Sequence, residues 1–458
     1  MANIIGTEGV DTLTGTGTDD TIQGLGGNDR IIGTTGYDTV DGGAGTDKID
    51  FSSINKRLNL ASTGKRIVSD IYSNTPNTDL VSDNLNNIET IIGNPNQSNS
   101  ISDFSEFGKP NGRIDVDLAA NRLTFYDKDG STPQTFTVKN FDKINTTNGD
   151  NLLAGNDRDN EIFAGAGNNV IFGSKGNDTL TASPYGNTTL DYSNLRRAVK
   201  IVSSGSFFSS RYGSGFSIST AIDKNGFGLD RSYGIKKVIG TINKANTIDA
   251  STAGSLASID VNLATNLLKI NAPADYSGTY VAGSNQFEVV NFVNAIGSKY
   301  SDNIVGANKN SQLTGGGGSD RIIGGNKNDR ITGTDSTARG VGEIDTLTGG
   351  GGRDKFILGD KDGAYYLGNG NNDYATITDF DPFKDSISIG SLKNYSFALE
   401  GAKTIDLFSG KDVNTRDLIA KIQLSGGISS VGSNSRSVMG ADASLNAIVS
   451  QLNIGSES

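Results

Sequence analysis

The residues best placed to do chemistry are acids at a fixed interval. Asp11, Asp20, Asp29, Asp38 and Asp47 stand nine residues apart. The phase returns at Asn151, Asn160, Asn169 and Asp178, and again at Asp302, Ser311, Asp320 and Asp329. Asp345 and Asp354 follow after a short insertion. Ionised carboxylates only accept hydrogen bonds, and carboxylates repeated in phase suit divalent cations. Composition removes most other chemistry. The chain has no His, hence no Ser-His-Asp triad, H-E-x-x-H zinc site or haem His. It has no Cys, which removes disulfides, thiol nucleophiles and iron–sulfur centres but does not fix the compartment. With 51 acidic and 40 basic residues the formal net charge is -11, which disfavours nucleic acid and anionic membranes as partners.

The elements that position these acids are legible in the same phase. An aliphatic follows each acid by two residues: Leu13, Ile22, Ile31, Val40 and Ile49 in the first block. Glycine precedes it by five, at Gly6, Gly15, Gly24, Gly33 and Gly42, and usually again by two. Glycine permits the positive φ and close backbone approach that tight turns need. A short strand with one inward side chain follows each turn. Two such units make a coil of 18 residues, and stacked coils make parallel sheets around a narrow core. All seven prolines fall outside these ladders, where a parallel sheet would not tolerate them.

Between the blocks lie two stretches that resemble each other. Ile114-Asp-Val-Asp-Leu-Ala119 answers Ile259-Asp-Val-Asn-Leu-Ala264, and Phe136-Thr-Val-Lys-Asn-Phe141 answers Phe287-Glu-Val-Val-Asn-Phe292. Their alternation and β-branched residues predict strands. The fold expected is all-β: a parallel β-roll or β-helix solenoid with a C-terminal β-rich cap. Its parts are a β-roll over 1–47, a module over 48–187 ending in degenerate repeats, a second copy over 188–354, and a cap over 355–458. Leu445, Ile448, Val449 and Leu452 have helical spacing near the end. Asp127-Lys-Asp-Gly130 and Asp360-Lys-Asp-Gly363 begin like EF-hand loops but lack the later ligands, so they read as hairpin turns. Tyr365-Tyr366 and Phe207-Phe208 read as packing.

The nine-residue unit resembles the calcium-binding repeat of RTX (hemolysin-type) proteins, G-G-x-G-x-D-x-U-x. The best units are Gly42-Gly-Ala-Gly-Thr-Asp47, Gly315-Gly-Gly-Gly-Ser-Asp320 and Gly349-Gly-Gly-Gly-Arg-Asp354. The modules and cap resemble those of secreted multi-repeat calcium-binding proteins of cyanobacteria. The resemblance implies Ca2+ enclosed between turns two units apart by carboxylates and main-chain carbonyls. It pairs Asp11 with Asp29, Asp20 with Asp38, Asp29 with Asp47, and Asp302 with Asp320. The implied ligands are Asp11, Asp20, Asp29, Asp38, Asp47, Asp178, Asp302, Asp320, Asp329, Asp345 and Asp354. The asparagines at 151, 160 and 169 lack charge, so the second block is expected to bind weakly or not at all, its amides stacking as a neutral ladder. Ser311 breaks a pairing with Asp329, and Asp329 to Asp345 spans 16 residues rather than 18.

The function this implies is that of a secreted calcium-binding structural protein of the cell surface or extracellular matrix: a surface layer, sheath, filament or adhesin. Its partners are calcium ions, further copies of itself in a lattice or filament, and cell-surface polysaccharide. The first repeat begins within five residues of Met1, with no cap before it, and an uncovered sheet edge is a pairing site. Export unfolded by the type I route, with an uncleaved C-terminal signal, agrees with the lack of a basic and apolar leader at the N-terminus. No apolar run approaches the roughly 20 residues of a spanning helix. The chain is expected not to be an enzyme. The alternatives are a β-helix polysaccharide-modifying enzyme, which could work with Asp, Lys, Arg and Tyr, and a carbohydrate-binding adhesin.

Overall fold

The computed structural model describes residues 1–62, 67–72, 81–103, 113–126, 133–209, 216–252, 257–272, 283–390, 394–400, 403–410, 412, 414–425 and 453–455. The chain divides into two compact units, Met1–Arg196 with Ile222–Ile239, and Arg197–Ala221 with Gly240–Ser458. Among the described residues no helix is long and apolar enough to cross a membrane.

In the first block each nine-residue repeat becomes one three-residue strand. Asn3–Ile5, Thr21–Gln23 and Thr39–Asp41 pair in parallel. Thr12–Thr14, Arg30–Ile32 and Lys48–Asp50 pair in parallel in a second sheet. Successive repeats therefore alternate between sheets. Ile22 lies beside Val40, and Ile31 beside Ile49, in strict register. Only the middle side chain of such a strand points inward, and these four are at most 1% exposed. Each coil buries two aliphatics, worth about 1.5–3 kcal/mol each, which is a slender core. The turns between strands need glycine. Gly27 has φ 112° and Gly45 φ 148°, and a Cβ on Gly45 would overlap the Gly27 carbonyl one coil away.

The modules keep the parallel coils but add antiparallel excursions that the solenoid pattern did not predict. Arg57–Ser62, Ile67–Tyr72 and Val81–Asn86 form an antiparallel meander whose last strand returns to pair in parallel with Thr39–Asp41. Arg113–Asp117, Arg122–Tyr126 and Gln134–Lys139 form another, returning to Thr90–Ile92. In the second unit Ser258–Asn262, Leu267–Ala272 and Gly283–Val290 repeat the second meander. The likeness between the two stretches reaches the backbone. Asn121 and Asn140 adopt left-handed φ of 55° and 65°, and Asn266 and Asn291 adopt 60° and 66°. Asparagine tolerates that region better than other side chains do.

The second unit then resumes short parallel strands at Asn303–Val305, Gln312–Gly316, Arg321–Gly325 and Arg330–Thr334, with Ile304, Leu313, Ile322 and Ile331 inward. The coils end under a β-rich cap. Tyr374–Phe380 pairs in parallel with Ile344–Gly350 and with Asp417–Leu424, and Tyr395–Glu400, Thr404–Ser409 and Asp417–Leu424 form an antiparallel sheet. Phe356 and Phe380 pack at 6.1 Å between ring centroids, fully buried. Asp360 to Gly363 is a hairpin turn, as its sequence suggested. The helical spacing at Leu445–Leu452, the Asp127–Gly130 turn and the Phe207-Phe208 side chains lie outside the described residues.

Candidate metal centre

The in-phase acids form ladders along the coils. The backbone N–H of each ladder residue donates to Oδ1 of the acid in the next coil. One row runs from Ala2 to Asp20, Asp38 and Asp83. A second runs from Asp11 to Asp29, Asp47 and the Glu89 carboxylate. In the second unit one row runs Ile259, Asp302, Asp320, Asp345, and the other Ser311, Asp329, Asp354, Asp385. Asp320 with Asp345, and Asp329 with Asp354, are each 25 residues apart rather than 18. The extra residues loop out before Ile344, and the phase then resumes. The 16-residue spacing from Asp329 to Asp345 therefore joins different rows.

What remains is the second oxygen, and the residue four before each acid decides its fate. Hydroxyls of Thr7, Thr16, Thr34 and Ser174 donate to Oδ2 of Asp11, Asp20, Asp38 and Asp178 at 2.7–3.0 Å. The Ser298 N–H serves Asp302 in the same way. Where that residue is Leu25, Gly43, Gly316 or Gly325, no hydroxyl exists. Oδ2 of Asp29, Asp47, Asp320 and Asp329 is then buried without any hydrogen-bond partner. An unpaired buried acceptor costs about 1–3 kcal/mol, more when charged. Nine-residue spacing alone treats all these aspartates alike; the residue after the turn's first glycine separates them.

The four orphan oxygens share a cradle. A Cβ on Gly324 would lie 2.5 Å from the Gly349 carbonyl oxygen and 2.6 Å from Asp329 Oδ2. A Cβ on Gly24 would overlap the Gly42 carbonyl and Asp29 Oδ2, and one on Gly315 the Gly333 carbonyl and Asp320 Oδ2. On Gly42 it would meet the Asn87 carbonyl and Asp47 Oδ2. A carboxylate oxygen of one turn thus converges with a main-chain carbonyl of the next coil, and neither is a donor. Among the described residues no three acidic side chains gather at one point; the partners of each carboxylate are carbonyls. Hard oxygen donors of this kind fit Ca2+ and no softer metal.

The electrostatics agree. Burial pushes Asp302 and Asp329 up to about 6 and Asp354 up to about 7. Asp320 is pushed to about 10 by burial and then by the Asp345 charge. Burial also raises Asp38 and Asp47. Asp20, by contrast, is lowered by the Thr16 N–H. A bound cation reverses such upward shifts.

The asparagine turns solve the same problem without an ion. Asn169 Nδ2 donates to the Gly165 carbonyl at 3.0 Å, and Asn151 Nδ2 to Asn169 Oδ1 at 2.8 Å. Outside the nine-residue phase, Asn99 Nδ2 donates to the carbonyls of Asn94 and Asn140, and Asn246 Nδ2 to those of Thr241 and Asn291. The amide hydrogens fill the space that an Asp turn leaves open.

Two of the implied ligands are also met on Oδ2 by side chains distant in sequence. Asp178 faces the Nζ of Lys224 at 3.2 Å, and Lys224 also pairs with Asp230. Asp345 accepts from the buried Tyr366 hydroxyl, which stands beside Gly333 where a carbonyl stands in other turns. Tyr365-Tyr366 packs inward, as expected. Burial pushes Asp230 up to about 7 against the pull of Lys224, with Asp178 adding to the rise. Sequence reading missed the ladder members Asp83, Glu89, Asp230 and Asp385. Three of them carry the signal that marks the rest, an aliphatic two residues on (Leu85, Ile91, Ile387). Asp230 has Ser232 there instead.

Comparison with known proteins bears on these turns. The family model of the RTX calcium-binding nonapeptide repeat matches residues 5–34, 23–53, 145–180 and 296–331. No curated protein matches the chain. Among solved structures, an extracellular lipase, LipA from Serratia marcescens, aligns at 14% identity with a TM-score of 0.20, over 62% of this chain and 43% of the lipase. The alignment spans less than half of the lipase's length. The turns within those matched residues are RTX calcium-binding nonapeptide repeats, and calcium is the ion such repeats bind.

Proposed function

We propose that the chain is a secreted, non-enzymatic structural protein of the cell surface or matrix, whose coils are locked by calcium at the Gly-rich turns. The observation that carries this reading is that, among the in-phase aspartates, Asp29, Asp47, Asp320 and Asp329 each keep a buried carboxylate oxygen with no partner. With the carbonyls of Gly42, Asn87, Gly333 and Gly349 they would hold the ions. Bound Ca2+ supplies the positive charge that these acceptors lack. Asp20, Asp38 and Asp302 already have donors on both oxygens and would contribute less. Asp11 takes two donors on Oδ2 and falls with them.

RTX repeats typically belong to secreted proteins, which supports an extracellular setting where calcium is abundant. Folding coupled to metal binding would keep the calcium-binding coils open at low calcium and close them outside the cell, which suits type I export. The structural role rests on the sheets themselves: within each unit, parallel coils are joined by side-chain ladders and would be locked by ions. Self-association into a lattice or filament, and attachment to surface polysaccharide, extend the same reading. Equilibrium dialysis against calcium, with thermal melts in chelator and in calcium, tests it. Binding of several ions with a large rise in melting temperature is expected. No binding, or binding without stabilisation, overturns the reading.

A further inference from the structure

We infer that Lys224 is the resident cation of the middle coils, standing where the outer blocks take an external ion, so that this part of the ladder holds without calcium. The inference rests on the proposal that the Gly-rich turns bind calcium. Its evidence lies within the first unit.

Asp178 and Asp230 are successive members of one ladder. Thr179–Ala182 and Leu229–Tyr233 pair in parallel, and the Asp178 N–H donates to Asp230 Oδ1 at 3.1 Å. The intervening chain, a long excursion, brings Lys224 back between them. A tight turn fixes its backbone, with the Lys224 N–H on the Gly228 carbonyl at 3.0 Å. The lysine is 0% exposed, and its ammonium touches Asp178 Oδ2 and Asp230 Oδ1. Tyr192 closes the group by donating to Asp230 Oδ2 at 2.7 Å. A buried ammonium persists only when paired, and here one cation bridges the carboxylates of two adjacent coils. That is the role proposed for calcium between the Gly-rich turns. The rest of the block agrees, because its asparagine amides supply donors of their own. Among the described residues from 151 to 233, no buried carboxylate oxygen lacks a partner.

Calcium does not fit this turn pair, and the consequence is two tiers of stability along the sequence: calcium-independent coils within 152–191 and 229–233, and calcium-dependent coils within 21–50 and 312–357. Hydrogen exchange on the intact chain, in chelator and in calcium, tests it. Strands within residues 152–191 and 229–233 are expected to change by less than about threefold. Those within 21–50 and 312–357 are expected to lose protection about tenfold or more in chelator. Lys224→Met vacates the site. It is expected to bind no more calcium than wild type by dialysis, because Ser174, Tyr192 and main-chain N–H groups still serve both oxygens of Asp178 and Asp230, and to lose protection of the middle strands in chelator and in calcium alike. If Lys224→Met does not fold, the wild-type exchange map decides alone. Wild type that binds calcium but loses its middle protection in chelator overturns this inference and leaves the reading of the Gly-rich turns standing. Wild type that binds no calcium overturns both.

Discussion

Replacing Asp329 by asparagine separates an ion ligand from a mere turn cap. In the folded protein Asp329 is 3% exposed, its Oδ1 accepts from the Ser311 N–H at 2.7 Å, and its Oδ2 has no partner. Burial holds its carboxyl at about 6, against about 3.9 in an unfolded chain. Above both values that gap of about two pH units destabilises the metal-free fold by up to about 3 kcal/mol. The cost of an unpaired buried acceptor, about 1–3 kcal/mol, points to the same size. The Asp329→Asn side chain keeps the Oδ1 bond and adds the amide donors that Asn169 directs to the Gly165 carbonyl. In chelator at about pH 8 the variant should be more stable than wild type by about 1–3 kcal/mol. In calcium the order should reverse, because the variant has lost a charged ligand. Unfolding followed by far-ultraviolet circular dichroism in both conditions reads the difference. Equal destabilisation with and without calcium would refute the reasoning, since it would make Asp329 a turn cap only.

Three further outcomes are expected. The raised carboxyls of Asp302, Asp329, Asp345 and Asp354, at about 6 to 7, bind protons more tightly folded than unfolded. Metal-free stability should therefore fall as pH rises through about 4 to 7, whereas calcium affinity should weaken as pH drops below about 6; thermal melts and calcium titrations across that range check both. Gly324→Ala places a Cβ 2.5 Å from the Gly349 carbonyl and 2.6 Å from Asp329 Oδ2, so dialysis should show one fewer bound ion, and a full count would contradict the cradle. Tyr366→Phe removes the donor to Asp345 and should cost about 1–3 kcal/mol in chelator and in calcium alike; a cost seen only in chelator would mean that an ion can take over the Asp345 oxygen.

The repeating skeleton was open to reading because it is local. A glycine, an acid five residues on and an aliphatic two beyond it dictate turn, ladder and core within nine residues, and Ile22, Ile31, Val40 and Ile49 are buried as that phase requires. Partners supplied from a distance were hidden. Lys224 is 46 residues from Asp178, and Tyr366 is 21 from Asp345. Excursions of unequal length also hid ladder members: Asp38 bonds to Asp83 across 45 residues, and Asp47 to Glu89 across 42. The hydroxyl four residues before an acid was visible throughout at Thr7, Thr16 and Thr34. It gained meaning only once the second carboxylate oxygen was seen to need a donor.

The central claim is that calcium completes the Gly-rich turns and thereby the fold. Its most direct test is a calcium titration of chelated protein, followed by circular dichroism and light scattering together. The account predicts a cooperative gain of β-structure that saturates with several bound ions, with any rise in scattering following that gain. Full β-structure in chelator, unchanged in melting temperature when calcium is added, would contradict it.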